Sequence, residues 1–341
     1  MRIIVLGGTR FIGRATVRRL HELGHEVLVF HRGETEAEDL SSVTHLHGDR
    51  RRLPDYAAEF ARWSPDAALD MLPMSEQDAR LVTTTFQGIA RRLVAVSSMD
   101  VYRAYGRVNQ TEPGPPDPVP LREDAPLRED APLREHLFPY RGKREHLYDY
   151  EKILVERVVM GERSLPGTVI RLPMVYGPGD YQHRLFPYLK RMDDRRPAIV
   201  LEDGVARLRT TRGYVEDMAA AIALAVTDER AAGRIYNAGE AEPSAETAWV
   251  RAIARVTGWG GKVAIIDRDR LPPALRWSID PNQDLVADST RIRSELGYAE
   301  VTAPDEAMRR TVAWERANPP EQIEAGSFDY AEEDAALASS P

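Results

Sequence analysis

The N-terminal stretch constrains the fold more than any other part of the chain. Arg2-Ile3-Ile4-Val5-Leu6 is a short apolar run and Gly7-Gly8-Thr9-Arg10-Phe11-Ile12-Gly13 is a glycine-bearing turn. From Phe11 to Leu23 the apolar residues take a helical spacing. A strand that passes through glycine into a helix sends the chain back over the sheet, so the following strand lies parallel to the first. The alternation then repeats. Apolar runs occur at Ile3–Leu6, Glu26–Phe30, Ala67–Leu69 and Leu93–Val96, with helical patterns at Phe11–Leu23, Pro54–Trp63 and Glu76–Arg91 between them. This order predicts an α/β fold, a Rossmann-like doubly wound parallel sheet.

Residues 1–172 and 213–238 are expected to form the dinucleotide-binding domain, and 173–212 and 239–318 a smaller C-terminal α/β substrate domain. Within these bounds a helix is expected from about Glu145 to Met160 and a strand at Thr168–Arg171. Further helices are expected near Val215–Val226, Ala245–Thr257 and Pro304–Ala317. A polar segment after Val101 holds a tandem repeat, Pro120-Leu121-Arg122-Glu123-Asp124-Ala125, repeated from Pro126 and begun again at Pro132. Proline at that interval prevents a continuous helix, so the repeat reads as a duplication in an exposed loop. Residues 319–341 carry six acids and no basic residue, which predicts a disordered tail.

Composition excludes several classes of function. Cysteine is absent, so no disulfide, thiol nucleophile or Cys-ligated metal is available, and the eight histidines are scattered along the chain, so no metal site is expected. The net charge of −8 argues against a general nucleic-acid footprint. No apolar run is long enough to span a bilayer and no basic segment precedes an apolar leader, which predicts a cytoplasmic protein without membrane contact.

The glycine turn is placed to receive a dinucleotide. Backbone must approach a pyrophosphate closely there, and the N-terminus of the following helix faces the phosphate charge. A loop of Gly-x-x-Gly-x-x-Gly form would have glycine where this chain has Arg10. The second strand ends Val29-Phe30-His31-Arg32-Gly33, with arginine where an acid would grip the ribose hydroxyls of NAD. That favours the 2′-phosphate of NADP over NAD, with His31 and Arg32 at the ribose and Arg10 as a second cation. Asp49, after the third strand, is placed to meet the adenine amino group.

Lysine is rare in this chain: four lysines stand against 42 arginines. One of them, Lys152, follows Tyr148 by four residues, which is one helical turn. An ammonium beside a phenol lowers the phenol's pKa and makes it a usable base, and a forked guanidinium is a poor substitute for that compact charge. Ser98 ends a parallel strand on its carboxyl side, in Val96-Ser97-Ser98-Met99-Asp100-Val101-Tyr102, where it can hydrogen-bond a substrate oxygen.

These motifs resemble the extended short-chain dehydrogenases/reductases, in the NAD-dependent epimerase/dehydratase family. The matching stretches are Gly7–Gly13, Ser97–Tyr102, Tyr148–Lys152, Arg171–Asp180, Gly213–Ala219, Tyr236–Gly239 and Asp288 through Tyr298. The resemblance implies proton transfer by Tyr148, a nicotinamide ribose held by Lys152, and Ser98 at the catalytic Ser/Thr position. It further implies a small-molecule substrate, a nucleotide sugar by default, and a homodimer through the Tyr148 helix.

Three departures limit what carries over. Met71-Leu72-Pro73-Met74 is bulkier than the segment of many sugar epimerases, and the usual Asn is missing from Gln77–Gly88. Arginines for a nucleotide diphosphate are hard to place, because Arg207, Arg209 and Arg212 do not fit the common spacing to Asp217. Asp100 reads either as a cap for the following loop or as the acid of a sugar dehydratase, and His183 lies near the site in the family layout. Epimerisation or reduction is the leading expectation and dehydration the next. A third reading is a non-catalytic, dinucleotide-sensing or RNA-binding relative, because Gly7–Phe11 also resembles plastid stem-loop RNA-binding members of the superfamily.

Overall fold

The structure, a computed structural model, describes residues 1–35, 38–128, 149–323 and 326–339. Its main sheet takes β1 (Arg2–Leu6), β2 (Glu26–His31), β3 (Thr44–His47), β4 (Ala67–Asp70), β5 (Arg92–Ser98) and β6 (Gly167–Leu172). The seventh strand, Ile235–Asn237, returns from the C-terminal half and pairs with β6. From that strand the spatial order is β6, β5, β4, β1, β2, β3, and every pairing is parallel. The fold is therefore the doubly wound α/β sheet that the strand–helix alternation predicts.

Both faces of the sheet are covered, which is why its strands are apolar on both sides. On one face α1 (Phe11–Glu22) and the helix Val215–Thr227 pack over Ile3, Val5, Val29 and Leu69. On the other, α2 (Ala57–Trp63), α3 (Glu76–Phe86) and α5 (Lys152–Gly161) pack over Ile4, Leu6, Phe30 and Leu93. A short helix α4 (Arg103–Val108) follows β5. The winding direction reverses between β1 and β4, so the crevice at their carboxyl ends is where a ligand belongs.

The smaller C-terminal part rests on two parallel strand pairs, Met174–Tyr176 with Arg212–Tyr214 and Ala198–Glu202 with Lys262–Ile266. The helices α6 (Phe186–Asp193), Glu246–Thr257 and Pro304–Ala317 surround them. Among the described residues no helix is long and apolar enough to cross a membrane.

Three expectations are corrected. First, α5 starts at Lys152, and the part of the expected helix at 145–148 lies outside the described residues: Glu151 is extended (φ −155°, ψ 100°) and its carboxylate accepts from the Ile153 N–H, capping the helix there. Second, the acidic tail is not an unstructured end. Ala331–Ala338 is a helix whose Glu333 and Ala336 are buried, packed beside Ile266 and Leu271. Third, the repeat is not simply exposed, since Leu121, Glu123 and Arg128 are all buried; its remainder from residue 129 lies outside the described residues.

Candidate functional site

The turn after β1 has the shape a pyrophosphate requires. Gly7 and Gly8 take φ of 78° and 150°, a region that favours glycine. A Cβ on Gly13 would lie 2.8 Å from the Gly8 Cα, so the helix can approach the turn only through glycine. Arg10 is the N-cap of α1, but its side chain makes no capping bond, and no acid lies in the first turn. The leading N–H groups and the positive end of the helix dipole therefore lack a side-chain partner, which suits an anion. Phe11 takes an unusual φ of 42°, and the Thr9 hydroxyl pairs with that of Thr35 at 3.0 Å, tying the turn to the segment after β2. Ile12 sits partly buried in the first turn of α1, packed on the main core. These features fit a dinucleotide.

At the ends of β2 and β3, Arg32 is exposed and paired with Glu34 at 2.8 Å. Asp49 accepts from the backbone and side chain of Arg51, whose guanidinium holds the Asp49 carboxyl down to about 2. The scattering expected of the histidines is overturned here. His31, His45 and His47 bring ring nitrogens within 4.8 Å of one another. The register accounts for this: His31 pairs with His47 across the ladder, and His45 shares the face of His47 two residues away.

The hydrogen bonds assign the tautomers. The Leu40 carbonyl accepts a hydrogen bond from His45 Nε2 (3.0 Å), so His45 Nδ1 accepts from His31 Nε2 (2.8 Å), and His31 Nδ1 accepts from the Gly33 N–H (3.2 Å). Both nitrogens of His31 and His45 are thus committed to a chain of neutral rings.

Lys152 is buried, and its Nζ donates to the carbonyls of Pro73 (2.8 Å) and Val96 (3.0 Å), which leaves one N–H for another partner. Burial brings its pKa down to about 8, opposed chiefly by the charge of Asp70. Tyr148 lies outside the described residues, and because residues 149–151 are not helical the one-turn spacing argument does not extend across them. Ser98 is the cap that sequence reasoning assigned to Asp100: its Oγ accepts from the Asp100 N–H at 3.2 Å. The Asp100 carboxylate instead accepts from the Tyr150 hydroxyl at 2.8 Å, while its Oδ1 is buried with no hydrogen-bond partner.

Sequence reasoning passed over Tyr150, although Tyr148 and Tyr150 both precede Lys152. The Tyr150 ring lies 5.6 Å from Lys152 Nζ, so a buried phenol, ammonium and carboxylate meet at the end of β5. It also passed over Arg50, which follows Asp49 and grips Asp70 at the end of β4 through both terminal nitrogens (3.1 and 2.9 Å). A buried scaffold lies behind these groups. Glu156 accepts from Ser97 Oγ (2.6 Å) and from Arg171, and Arg171 donates to the Tyr102 hydroxyl, which donates to Asn237. Burial raises the Tyr102 pKa to about 12, so this phenol stays neutral.

Ser98 and Asp100 open onto a cavity of about 870 Å³ between the sheet and the C-terminal part. Tyr105, Trp249, Trp277, Leu201 and Leu285 give it apolar walls, and Arg128, Arg184, Arg191, Arg212 and Arg276 approach from its rim and floor. His183 is not among the lining residues. It pairs with Glu315 (2.8 Å), stacks on Trp314 and borders a separate depression. Arg207, Arg209 and Arg212 bind Asp203, Asp284 and Glu246 respectively, so none stands free for a diphosphate.

The chain is 26% identical over 250 residues to 2′-dehydrokanamycin reductase of Streptomyces kanamyceticus, covering 71% of this chain and 63% of that protein. It is 25% identical over 338 residues to dTDP-glucose 4,6-dehydratase of Neisseria meningitidis, covering 92% of each. It is also 23% identical over 251 residues to the Arabidopsis thaliana chloroplast stem-loop binding protein of 41 kDa b, covering 69% of this chain and 58% of that one. The first curated relatives are matched over 53% to 63% of their own length. Among solved structures, UDP-glucose-4-epimerase of Stenotrophomonas maltophila, with bound NAD and formylated UDP-arabinopyranose, superposes at TM-score 0.70 with 18% identity, over 93% of this chain and 98% of that one. The Bordetella bronchiseptica enzyme WbmG with NAD and UDP reaches 0.68 at 18%, over 94% and 96%. The family model described as the NAD dependent epimerase/dehydratase family matches residues 3–239. With the glycine turn, the Ser98 strand end and buried Lys152 all falling inside that match, the chain belongs to the NAD-dependent epimerase/dehydratase family, as an extended short-chain dehydrogenase/reductase.

Proposed function

We propose that this protein is an NAD(P)-dependent oxidoreductase or epimerase acting on a hydroxyl or keto carbon of a sugar-like substrate. The observation that carries the reading is the meeting of Lys152 and Tyr150 with Asp100, which lines the cavity together with Ser98. A nicotinamide cofactor supplies the hydride chemistry when bound.

The chain's own groups handle the proton. The remaining N–H of Lys152 holds a ribose hydroxyl, and its ammonium favours the ionised form of a neighbouring phenol. Tyr148 is the phenol we assign to proton transfer, with Ser98 Oγ on the substrate oxygen. Asp100 lines the cavity and keeps one oxygen without a partner, which supports dehydration as the second reading. In this reading residues 173–212 and 239–318 hold the substrate, the enzyme works in the cytoplasm, and the exposed Arg32 makes NADP the preferred cofactor.

The test is hydride transfer by Lys152→Met, followed at the nicotinamide absorbance with sugar ketones and nucleotide sugars as substrates. Turnover is expected to fall by about 10³-fold. Turnover at the wild-type rate would remove Lys152 from the chemistry. In the wild type, the alkaline limb of kcat/KM is expected near pH 8, where Lys152 loses its proton.

A further inference from the structure

The cavity's charge balance narrows the substrate beyond the reading above, on which this inference rests. Four of the five arginines in its wall already hold a carboxylate of the chain. Arg128 pairs with Glu151, Arg184 with Asp180, Arg191 with Glu333, and Arg212 with Glu246. The fifth, Arg276, donates to the carbonyls of Leu271 and Asp269. Among the described residues the wall thus offers no guanidinium without a partner. Arg276 is the one described guanidinium of the wall without a carboxylate, and the same wall holds the carboxylate of Asp100, so a nucleoside diphosphate drawn into this space loses its hydration with no net cation to offset the loss.

The pair at Arg191 is supplied from far along the chain. Glu333 comes from the C-terminal helix Ala331–Ala338, and its side chain is only 3% exposed. The segment that carries it is anchored at several points. The Tyr330 hydroxyl donates to Asp194, Asp334 pairs with Arg196, and Arg191 lies 5.0 Å over the Phe328 ring. The acidic tail is therefore a built wall of the cavity, seated by contacts that a loose end would not make.

Two oxygens in this wall ask for donors. Oδ1 of Asp100 and Oε2 of Glu333 are both buried and have no hydrogen-bond partner, and on the donor side the Nε of Arg212 is likewise buried without one. Glu246, by contrast, is satisfied by Arg212 and by the Tyr188 hydroxyl at 2.6 Å. A buried acceptor without a donor is costly, and an ionised phosphate drawn close to these oxygens brings only further acceptors.

We propose that Glu333 of the C-terminal helix, by neutralising Arg191, reserves the cavity for a substrate that carries no phosphate.

The test is calorimetric titration of the full-length protein, loaded with NADP, using UDP and inorganic pyrophosphate as probes. The wild type is expected to give no saturable binding of either at millimolar concentration. Glu333→Gln frees Arg191 and is expected to bind pyrophosphate at least about ten-fold more tightly, a gain that Arg191→Gln in the same chain removes. Should Glu333→Gln not fold, Glu333→Ser carries the same comparison. Saturable UDP binding by the wild type would overturn the proposal, and so would a folded Glu333 variant that gains nothing. The readout is independent of turnover. If hydride transfer proved absent the oxidoreductase reading would fail, while the titration would still report the cavity's charge.

Discussion

The glycine turn and the cavity, which begin at the carboxyl ends of β1 and β5, are built in opposite ways. The turn is local. Gly7, Gly8 and Gly13 lie within one βα unit, and their effect comes from what backbone can do without a side chain. The cavity is assembled from distant segments: Ser98 after β5, Arg191 on α6, Trp277 in a loop and Glu333 on the last helix. Its properties come from side chains that cancel one another's charge. A local site tolerates change elsewhere in the chain, whereas an assembled one depends on long-range packing and can alter its ligand by exchanging a single partner.

The contrast can be broken most forcefully at the turn. Gly13→Val places side-chain carbon against the Gly8 backbone, which is 2.8 Å from a Cβ at this position, and neither backbone can yield. Overpacking of this kind is expected to cost about 1–3 kcal/mol of stability in a urea melt, together with the loss of measurable cofactor binding by fluorescence titration. Unchanged cofactor affinity would show that the turn does not meet the dinucleotide.

Asp70→Asn probes the link between the regions, because Asp70 holds Arg50 and also supports the charge on Lys152. Breaking this largely buried pair is expected to cost about 2 kcal/mol, discounted because Arg50 keeps some solvent contact. With the negative charge gone the Lys152 ammonium is less favoured, so the alkaline limb of kcat/KM is expected to move below pH 8. A limb that stays in place would separate Asp70 from Lys152.

Arg32→Asp has a smaller expected effect, confined to the cofactor side. Exchanging a charge-assisted contact for a repulsive one is expected to shift the ratio of NADP to NAD affinity by about ten-fold or more toward NAD. No shift would place Arg32 outside the ribose site.

The smallest effect is expected at the joint between the two halves, where Asp217 accepts from the Val301 and Thr302 N–H groups. Burial pushes its pKa up to about 6. The folded state then holds the proton more tightly than the unfolded chain, so this contribution to stability is complete below the unfolded pKa and is lost as pH rises through about 6. Asp217→Asn keeps an acceptor oxygen without the charge, and is expected to flatten the decline in stability between pH 5 and pH 8 by about 1 kcal/mol in urea melts. An unaltered pH dependence would assign that decline to other groups.

What could be read from the sequence follows the same division. Most strands of the main sheet, the turn at Gly7–Gly13 and the family lay in short contiguous patterns, because a period of two or of 3.6 residues is set by local geometry, whereas the short strand Ile235–Asn237 was not expected. The start of α5 was misjudged because the apolar spacing extends upstream of Lys152, while the capping bond of Glu151 is invisible to periodicity. The tail was misread for a related reason. Its acids suggested repulsion and disorder, yet Arg191 and Arg196, more than a hundred residues earlier, wait to pair with Glu333 and Asp334. The histidines looked scattered because sequence separation conceals the register that sets His31 opposite His47.

By itself the sequence determined the doubly wound sheet, the glycine turn after its first strand and the place of one rare lysine close behind two tyrosines. Each of these depends on the backbone or on residues a few positions apart. Only the tertiary structure decided which carboxylates meet which arginines, that Tyr150 and not a loop cap holds Asp100, and that the acidic tail closes the cavity. Such pairings depend on distances across the fold, and a linear string of charges does not contain those distances.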